Sequence, residues 1–193
     1  MFSTDDREAL LLLARKSISW GFEYHAFLPI DRSEYPQILS EQGASFVTLK
    51  DKDVLRGCVG ALKASQPLCV DVSEHAWAAA FSDRRFNRVE PDELKRLSIS
   101  ISVLGIPEPI QFSNEANLIG QLKPNQDGLI LQEGSKYATF LPSVWESLPS
   151  PKTFLGHLKR KAGLAEDYWS ESLEFSRYVT ESFTDKDTPH SMD

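Results

Sequence analysis

The fold of this 193-residue chain is decided by a stretch that reads FVTLKDKDVLRGCVG over residues 46–60. β-Branched and aromatic residues at its start favour an extended strand. Asp51, Lys52 and Asp53 in the middle are typical of a turn, and strand-forming residues resume at Val54. The stretch therefore predicts an antiparallel β-hairpin.

Outward from this hairpin, helical and extended patterns are segregated rather than strictly alternating. Apolar spacing and caps predict helices over residues 5–20 with Thr4 as N-cap, near Ser33–Leu39, over Leu68–Phe81 after Pro67, from Pro91, over Asn114–Leu122 and over Ser150–Ala162 with Gly163 as the stop. Further strands are predicted over Ile99–Val103, in a second hairpin of Gly128–Leu131 with Lys136–Leu141, and as one closing strand through Phe175, Val179 and Phe183. This order predicts an α+β fold with a largely antiparallel sheet flanked by helices.

The charge and cysteine content restrict the class of protein. With 28 acidic and 21 basic residues the net charge is -7, which disfavours nucleic-acid binding because phosphate contacts need surplus Lys and Arg. Two cysteines do not make a disulfide scaffold, and no metal-ligand spacing is present. No basic leader or membrane-spanning run is recognised. We therefore expect a cytoplasmic protein that binds neither nucleic acid nor membrane and has no metal site.

The segment Leu55-Arg56-Gly57-Cys58-Val59-Gly60 is the predicted chemical site. In a regular strand, Leu55 and Val59 point into the core, while Arg56 and Cys58 lie side by side on the other face. Gly57 marks a place where another backbone or a ligand approaches closely, and Gly60 leaves space on the Cys58 face.

A guanidinium beside a thiol favours the thiolate, which is the nucleophilic form of cysteine. The spacing thus predicts Cys58 and Arg56 as catalytic residues, although a free cysteine is also common as an inert buried side chain. His75 is a candidate base for a Cys–His pair, and Asp83 and Arg85 are candidate substrate-binding residues, together with Gly57 and Gly60. The second cysteine, Cys69, is expected to be buried. The sequence identifies no cofactor.

Several blocks of the chain resemble the AMMECR domain family, whose prokaryotic members are called AmmeMemoRadiSam system protein A. The resemblance is carried by eight segments in order: residues 43–49, 55–60, 67–72, 79–86, 99–104, 127–131, 138–146 and 161–164. Arg84 stands where the family usually has proline, Ser100 replaces a usual glutamate, His75 a common asparagine and Lys159 a frequent cysteine. Because relatives commonly have asparagine at the position of His75, the resemblance weakens the case for a Cys58–His75 pair. The serine at position 100 removes a candidate acid or base.

The resemblance implies one domain over residues 1–183, built of two lobes with a cleft near the Cys58 motif. The polar residues 184–193, which include Pro189, predict a flexible tail after it. It implies no established activity. Family members are encoded beside, or fused to, a Memo-type protein and a radical SAM enzyme, which implies a shared pathway with these partners.

Two functions remain open at this level. In the first, the chain is an enzyme that uses Cys58 as an activated thiolate on a small, anionic substrate, by acyl or alkyl transfer. In the second, it is a non-catalytic partner module acting with the Memo-type protein and the radical SAM enzyme, and the Cys58 segment is a tight structural crossing.

Overall fold

The structure, a computed structural model, describes residues 1–185. Its helices are α1 (Thr4–Tyr24), α2 (Gln37–Ser40), α3 (Leu68–Phe81), α4 (Glu115–Gln121) and α5 (Pro151–Lys161), with 3₁₀ turns at Arg32–Glu34 and Pro142–Glu146. Its strands are β1 (Gln42–Gly43), β2 (Ser45–Asp51), β3 (Val54–Gly60), β4 (Gln66–Pro67), β5 (Leu97–Leu104), β6 (Glu108–Pro109), β7 (Gly128–Glu133), β8 (Lys136–Phe140), β9 (Glu174–Tyr178) and β10 (Thr180–Thr184). The α+β class and the antiparallel sheets are confirmed. Within the described residues, no helix is long and apolar enough to cross a lipid bilayer.

The chain divides into two compact units. The first unit contains Met1–Leu104 together with residues 181–185, and its main sheet has the strand order β10-β5-β2-β3. Strand β2 pairs antiparallel with both β3 and β5. One face of this sheet shares a buried core with α1 and α3, whose central members are Leu10, Ile18, Val47, Leu49, Val72, Ala76, Ile99 and Ile101. The opposite face of the sheet carries polar side chains that alternate with the core residues, among them Thr48, Ser100 and Ser102.

The second unit contains Gly105–Thr180 and is built on a sheet with the order β6-β9-β7-β8. Helices α4 and α5 contribute Leu118, Phe154, Leu155 and Leu158 to its separate core. The predicted second hairpin is confirmed as β7 and β8. Gly163 follows α5 in the left-handed region, with φ 75°, which confirms it as the stop. The predicted cleft between lobes stays a prediction.

Helix α1 begins and ends differently from its prediction. Ser3, not Thr4, is the N-cap: its hydroxyl accepts from the Asp6 N–H, and the Asp6 carboxylate accepts from the Ser3 N–H. The helix continues past Gly21 to Tyr24. A side chain at position 21 would meet the rings of Trp77 and Phe81 on α3, so glycine allows the two helices to pack closely there. Glycine there serves helix packing and does not end the helix.

Two other predictions about secondary structure are wrong. The helix predicted from Pro91 is a series of turns over residues 91–96, because β5 begins at Leu97 and leaves too few residues for a helix. The single closing strand is two strands, β9 in the second unit and β10 in the first. Strand β10 includes Thr184, and the tail prediction beyond Asp185 lies outside the described residues.

Candidate active site around Cys58

Cys58 lies on β3, which is an edge strand of the first unit's sheet. Its neighbour Gly57 faces helix α3, so the Cys58 side chain points to the other face of the sheet. Thr48 on β2 pairs directly opposite Cys58, and Ser100 on β5 pairs opposite Thr48. We call these three residues the sulfur row. Cys58 is partly exposed, and the Thr48 hydroxyl donates a hydrogen bond to its Sγ at 3.4 Å.

A β-bulge in β3 changes the predicted alternation before Cys58. Leu49 pairs with Gly57 whereas Lys50 pairs with Leu55, so Arg56 is the extra residue. Leu55 consequently shares the face of Lys50 and is 38% exposed. Its predicted place in the core is wrong, because the one-residue slip reverses the face. Val59, beyond the bulge, packs against the core as predicted.

The guanidinium of Arg56 is bound inside the first unit. Its Nε and Nη2 donate to the two carboxylate oxygens of Glu93, each at 2.9 Å. Nη1 donates to the Asn87 carbonyl at 2.7 Å and Nη2 to the Arg88 carbonyl at 3.0 Å. The side chains of Arg56 and Glu93 are 17% and 14% exposed, and this pairing lowers the pKa of Glu93. None of these contacts involves Cys58, so the structure pairs Arg56 with the loop and not with the sulfur.

A second arginine–carboxylate pair holds the backbone of Cys58 itself. Asp83 Oδ2 accepts from the Cys58 N–H at 2.9 Å, and Arg85 Nη2 donates to the Cys58 carbonyl at 3.0 Å. Arg85 also donates to both oxygens of Asp83, at 3.0 and 2.7 Å. An edge strand normally leaves such outward N–H and C=O groups unpaired. Asp83 and Arg85, which we call the edge clamp, replace the missing neighbouring strand at this one residue.

The charges of the edge clamp are strongly coupled. Hydrogen bonds from Arg85, followed by those from the backbone of Cys58 and Arg85, hold the pKa of Asp83 well below its usual range. Asp83 is the main cause that raises the pKa of Arg85, and the Cys58 side chain contributes in the same direction. The cation bound at Cys58 is therefore Arg85, which donates to its backbone carbonyl. Sequence proximity favoured Arg56, but the fold brings Arg85 there.

The two predicted glycines are packed against protein atoms. A Cβ at Gly57 would collide with the backbone carbonyl of Ala79 on α3. A Cβ at Gly60 would collide with the Phe46 ring and the Ser45 carbonyl. Of the two alternatives for Gly57, the structure shows close approach of a backbone, and a substrate-binding role for either glycine stays a prediction.

His75 belongs to a different cluster, beneath the sheet. Its Nδ1 lies 3.1 Å from Asp71 Oδ2, which also accepts from the N–H and hydroxyl of Ser45. These residues join α3 to β2 on the core side, whereas the Cys58 side chain points to the opposite face. A Cys58–His75 pair is therefore not formed. Cys69 is fully buried, as predicted, and burial raises the pKa of its thiol.

Thr48 is the site residue that sequence reasoning missed. The hairpin was predicted correctly, and counting back from its turn would have brought Thr48 close to Cys58. The bulge changes that count by one residue, so only the observed register identifies the pair. Ser100 was noted as a departure from the family and proves to complete the sulfur row.

The second unit contains a concavity of about 830 Å³ between α4 and α5. Its rim is charged, but Glu115 is bonded to the buried Lys159, and Glu166 to Arg160. No group of three or more His, Cys, Asp or Glu side chains in residues 1–185 is arranged to hold a metal ion. The Cys58 surroundings thus remain the best-supported candidate site.

The fold and site define an α+β protein of two units, in which a partly exposed cysteine is held on an edge strand by an Asp–Arg pair. The chain belongs to the AMMECR1 family, whose model matches residues 11–183. Protein SSO0193 of Saccharolobus solfataricus is 38% identical over 170 residues, covering 84% of this chain and 74% of that protein. Protein MK0488 of Methanopyrus kandleri is 32% identical over 186 residues, covering 92% and 86%.

A solved structure shows the same fold. The crystal structure of the uncharacterized protein PH0010 from Pyrococcus horikoshii matches with a TM-score of 0.83 at 30% identity, covering 95% of this chain and 93% of that one. The names of these relatives state no activity. The family is therefore established, whereas these relatives give no information about an activity.

Proposed function

We propose that this protein is an enzyme that uses the Cys58 thiolate as a nucleophile on a small, anionic substrate. The observation that carries the proposal is the edge clamp, in which Asp83 and Arg85 bind both backbone groups of a partly exposed cysteine. A permanent cation beside a sulfur favours the thiolate. We assign this stabilisation of the thiolate to Arg85 in place of Arg56.

Arg85 also has the features of an anion-binding group. Its side chain is 57% exposed, and within the described residues its Nη1 group has no hydrogen-bond partner. Asp83 fixes the other side of the guanidinium, so little side-chain entropy is lost when a carboxylate or phosphate binds. The substrate class that fits is a small electrophile with an anionic group near its reactive carbon.

The reaction class is acyl or alkyl transfer through sulfur. The Cys58 thiol first loses its proton to solvent. The thiolate electron pair then forms a C–S bond with the electrophilic carbon, and the leaving group departs with the electrons of the broken bond. In the acyl case a thioester results. Water then releases the acid, or an acceptor nucleophile takes the acyl group, and either step restores the thiol.

The first test is labelling of native protein by iodoacetamide, followed by intact-protein mass spectrometry across about pH 5 to 10. We expect one adduct, on Cys58, with half-maximal rate at a lower pH than for a free cysteine peptide. Cys58→Ser removes the adduct, and the buried Cys69 serves as an internal control. Labelling that requires denaturation would contradict the proposal.

A chromogenic acyl donor tests the covalent step. With p-nitrophenyl acetate, we expect a burst of p-nitrophenolate together with an acetyl adduct on Cys58. Cys58→Ser should give neither signal. Nitrophenolate release that is identical in the variant would show that Cys58 does not form a thioester.

A second candidate function is the non-catalytic partner module. It is favoured by the packing of the Cys58 segment. Arg56 is hydrogen-bonded to the loop that carries Asn87, and Gly57 packs against the Ala79 carbonyl. In that case the sedimentation of mixtures with purified Memo-type and radical SAM proteins should reveal a complex. Cys58→Ser should leave its stability unchanged.

A further inference from the structure

The side chain of Thr48 donates a hydrogen bond to the Cys58 sulfur. Its Oγ1 lies 3.4 Å from Sγ, and the two residues are directly opposed in the β2–β3 pairing. A β-branched side chain in a strand has few χ1 choices. The hydroxyl is therefore held next to the sulfur by the strand pairing.

Cys58 consequently has two different polar neighbours. The exposed guanidinium of Arg85 binds the Cys58 carbonyl from the edge side of β3, and the partly buried Thr48 hydroxyl contacts the sulfur from the next strand inward. The two groups differ in what they do when the sulfur loses its charge. Arg85 stays a cation throughout, whereas a hydroxyl has one O–H that is free to rotate to a better acceptor.

We propose that Thr48 is a catalytic residue of the Cys58 site, whose O–H donates first to the thiolate and then to the anion that forms on the substrate. This inference rests on the proposed function. When the sulfur electron pair forms the C–S bond, the sulfur becomes neutral and a weak acceptor. In acyl transfer, the negative charge moves to the carbonyl oxygen of the tetrahedral intermediate, which is then the stronger acceptor for the same O–H. The hydroxyl keeps its proton throughout.

This role has a signature that simple packing lacks. If Thr48 stabilises the thiolate, its loss must shift ionisation to higher pH and make the remaining thiolate intrinsically more nucleophilic. If it also stabilises the oxyanion, its loss must slow acylation even where the sulfur is fully ionised. If Thr48 only filled space, its loss would change the access of an alkylating reagent and of an acyl donor to the sulfur in the same direction.

The experiment compares wild type with Thr48→Val and Thr48→Ser, using iodoacetamide and p-nitrophenyl acetate. Valine keeps the shape and strand preference but lacks the hydroxyl, and serine restores the hydroxyl. For Thr48→Val we expect the half-maximal pH of iodoacetamide labelling to rise by about one unit. Its high-pH plateau should rise about two- to threefold, while the acylation plateau falls about tenfold.

Thr48→Ser should return all three values toward wild type. Ser102→Ala is a matched control, because the Ser102 hydroxyl lies on the same face but is bonded to Ser182; it should change none of them. If Thr48→Val does not fold, judged by circular dichroism, Thr48→Ala replaces it. An unchanged half-maximal pH in the hydroxyl-free variant, or equal shifts in the valine and serine variants, overturns the Thr48 role. Wild-type protein that labels only after denaturation overturns the proposed function as well.

Discussion

Two arginine–carboxylate pairs flank the same edge strand, and they differ in burial and in what they bind. The Arg56–Glu93 pair is mostly buried, and its guanidinium donates to one carboxylate and two backbone carbonyls. The Arg85–Asp83 pair combines a buried carboxylate, 7% exposed, with an arginine that is 57% exposed. Arg56 is two residues from Cys58 in sequence, yet Arg85 is the cation that interacts with it. We therefore expect the first pair to serve stability, and we propose ligand chemistry for the second.

The largest expected effect is the loss of stability in Arg56→Ala. Removing one partner of a buried pair leaves an uncompensated charge, here on Glu93, and costs about 3 kcal/mol of unfolding free energy. Urea unfolding of this variant measures the loss. The double variant Arg56→Ala/Glu93→Ala should recover part of it, since no unpaired charge remains. If Arg56→Ala loses less unfolding free energy than Arg85→Ala, the Arg56–Glu93 pair is not the more stabilising of the two.

The next effect concerns Asp83→Asn and its pH dependence. Asparagine keeps an acceptor for the Cys58 N–H but loses the charge, which should cost about 1.5 kcal/mol at neutral pH. The folded-state pKa of Asp83 lies well below the unfolded value of about 3.9. The charge therefore stabilises the protein above about pH 4, and the contribution is lost as the pH falls below it. Unfolding curves for both proteins should converge in acid; a constant difference down to the lowest pH would contradict this.

The smallest effect is charge selectivity at the sulfur in Arg85→Gln. A cation about 4 Å from a reacting anion contributes about 1 kcal/mol in solvent, which is about fivefold in rate. The ratio of iodoacetate to iodoacetamide labelling of Cys58 should fall by about this factor in Arg85→Gln. It should stay unchanged in Arg56→Lys, and high salt should reduce the wild-type ratio. If the labelling ratio falls more in Arg56→Lys than in Arg85→Gln, Arg56 and not Arg85 is the cation that acts on the sulfur.

Much of the fold followed from local sequence patterns. The turn between β2 and β3, Pro67 before α3, the second hairpin and Gly163 after α5 were all predicted from residues a few positions apart. Such features depend on backbone conformation and short-range hydrogen bonds, which neighbouring residues largely set. The burial of Cys69 followed from the apolar spacing of its helix.

The site followed only in part. Sequence reasoning selected Cys58, Asp83 and Arg85 and overlooked Thr48. It paired Cys58 with Arg56, whereas the arginine hydrogen-bonded to Cys58 is Arg85. Alternation along β3 predicts the wrong face for Leu55, because one extra residue reverses every side chain before it. A glycine inside a strand is typical of a bulge, and Gly57 follows the extra residue Arg56, but the same glycine also fits an unbroken strand with a close neighbour.

The sequence by itself determined the α+β class, most elements and the cysteine around which the site is built. The tertiary structure decided which arginine meets that cysteine, which hydroxyl contacts its sulfur and where His75 is bound. The physical reason is that helices and turns are stabilised by groups close along the chain. The contacts of Cys58 instead join residues 10 and 25 positions away, and these are fixed by sheet register and by the path of the loop after α3.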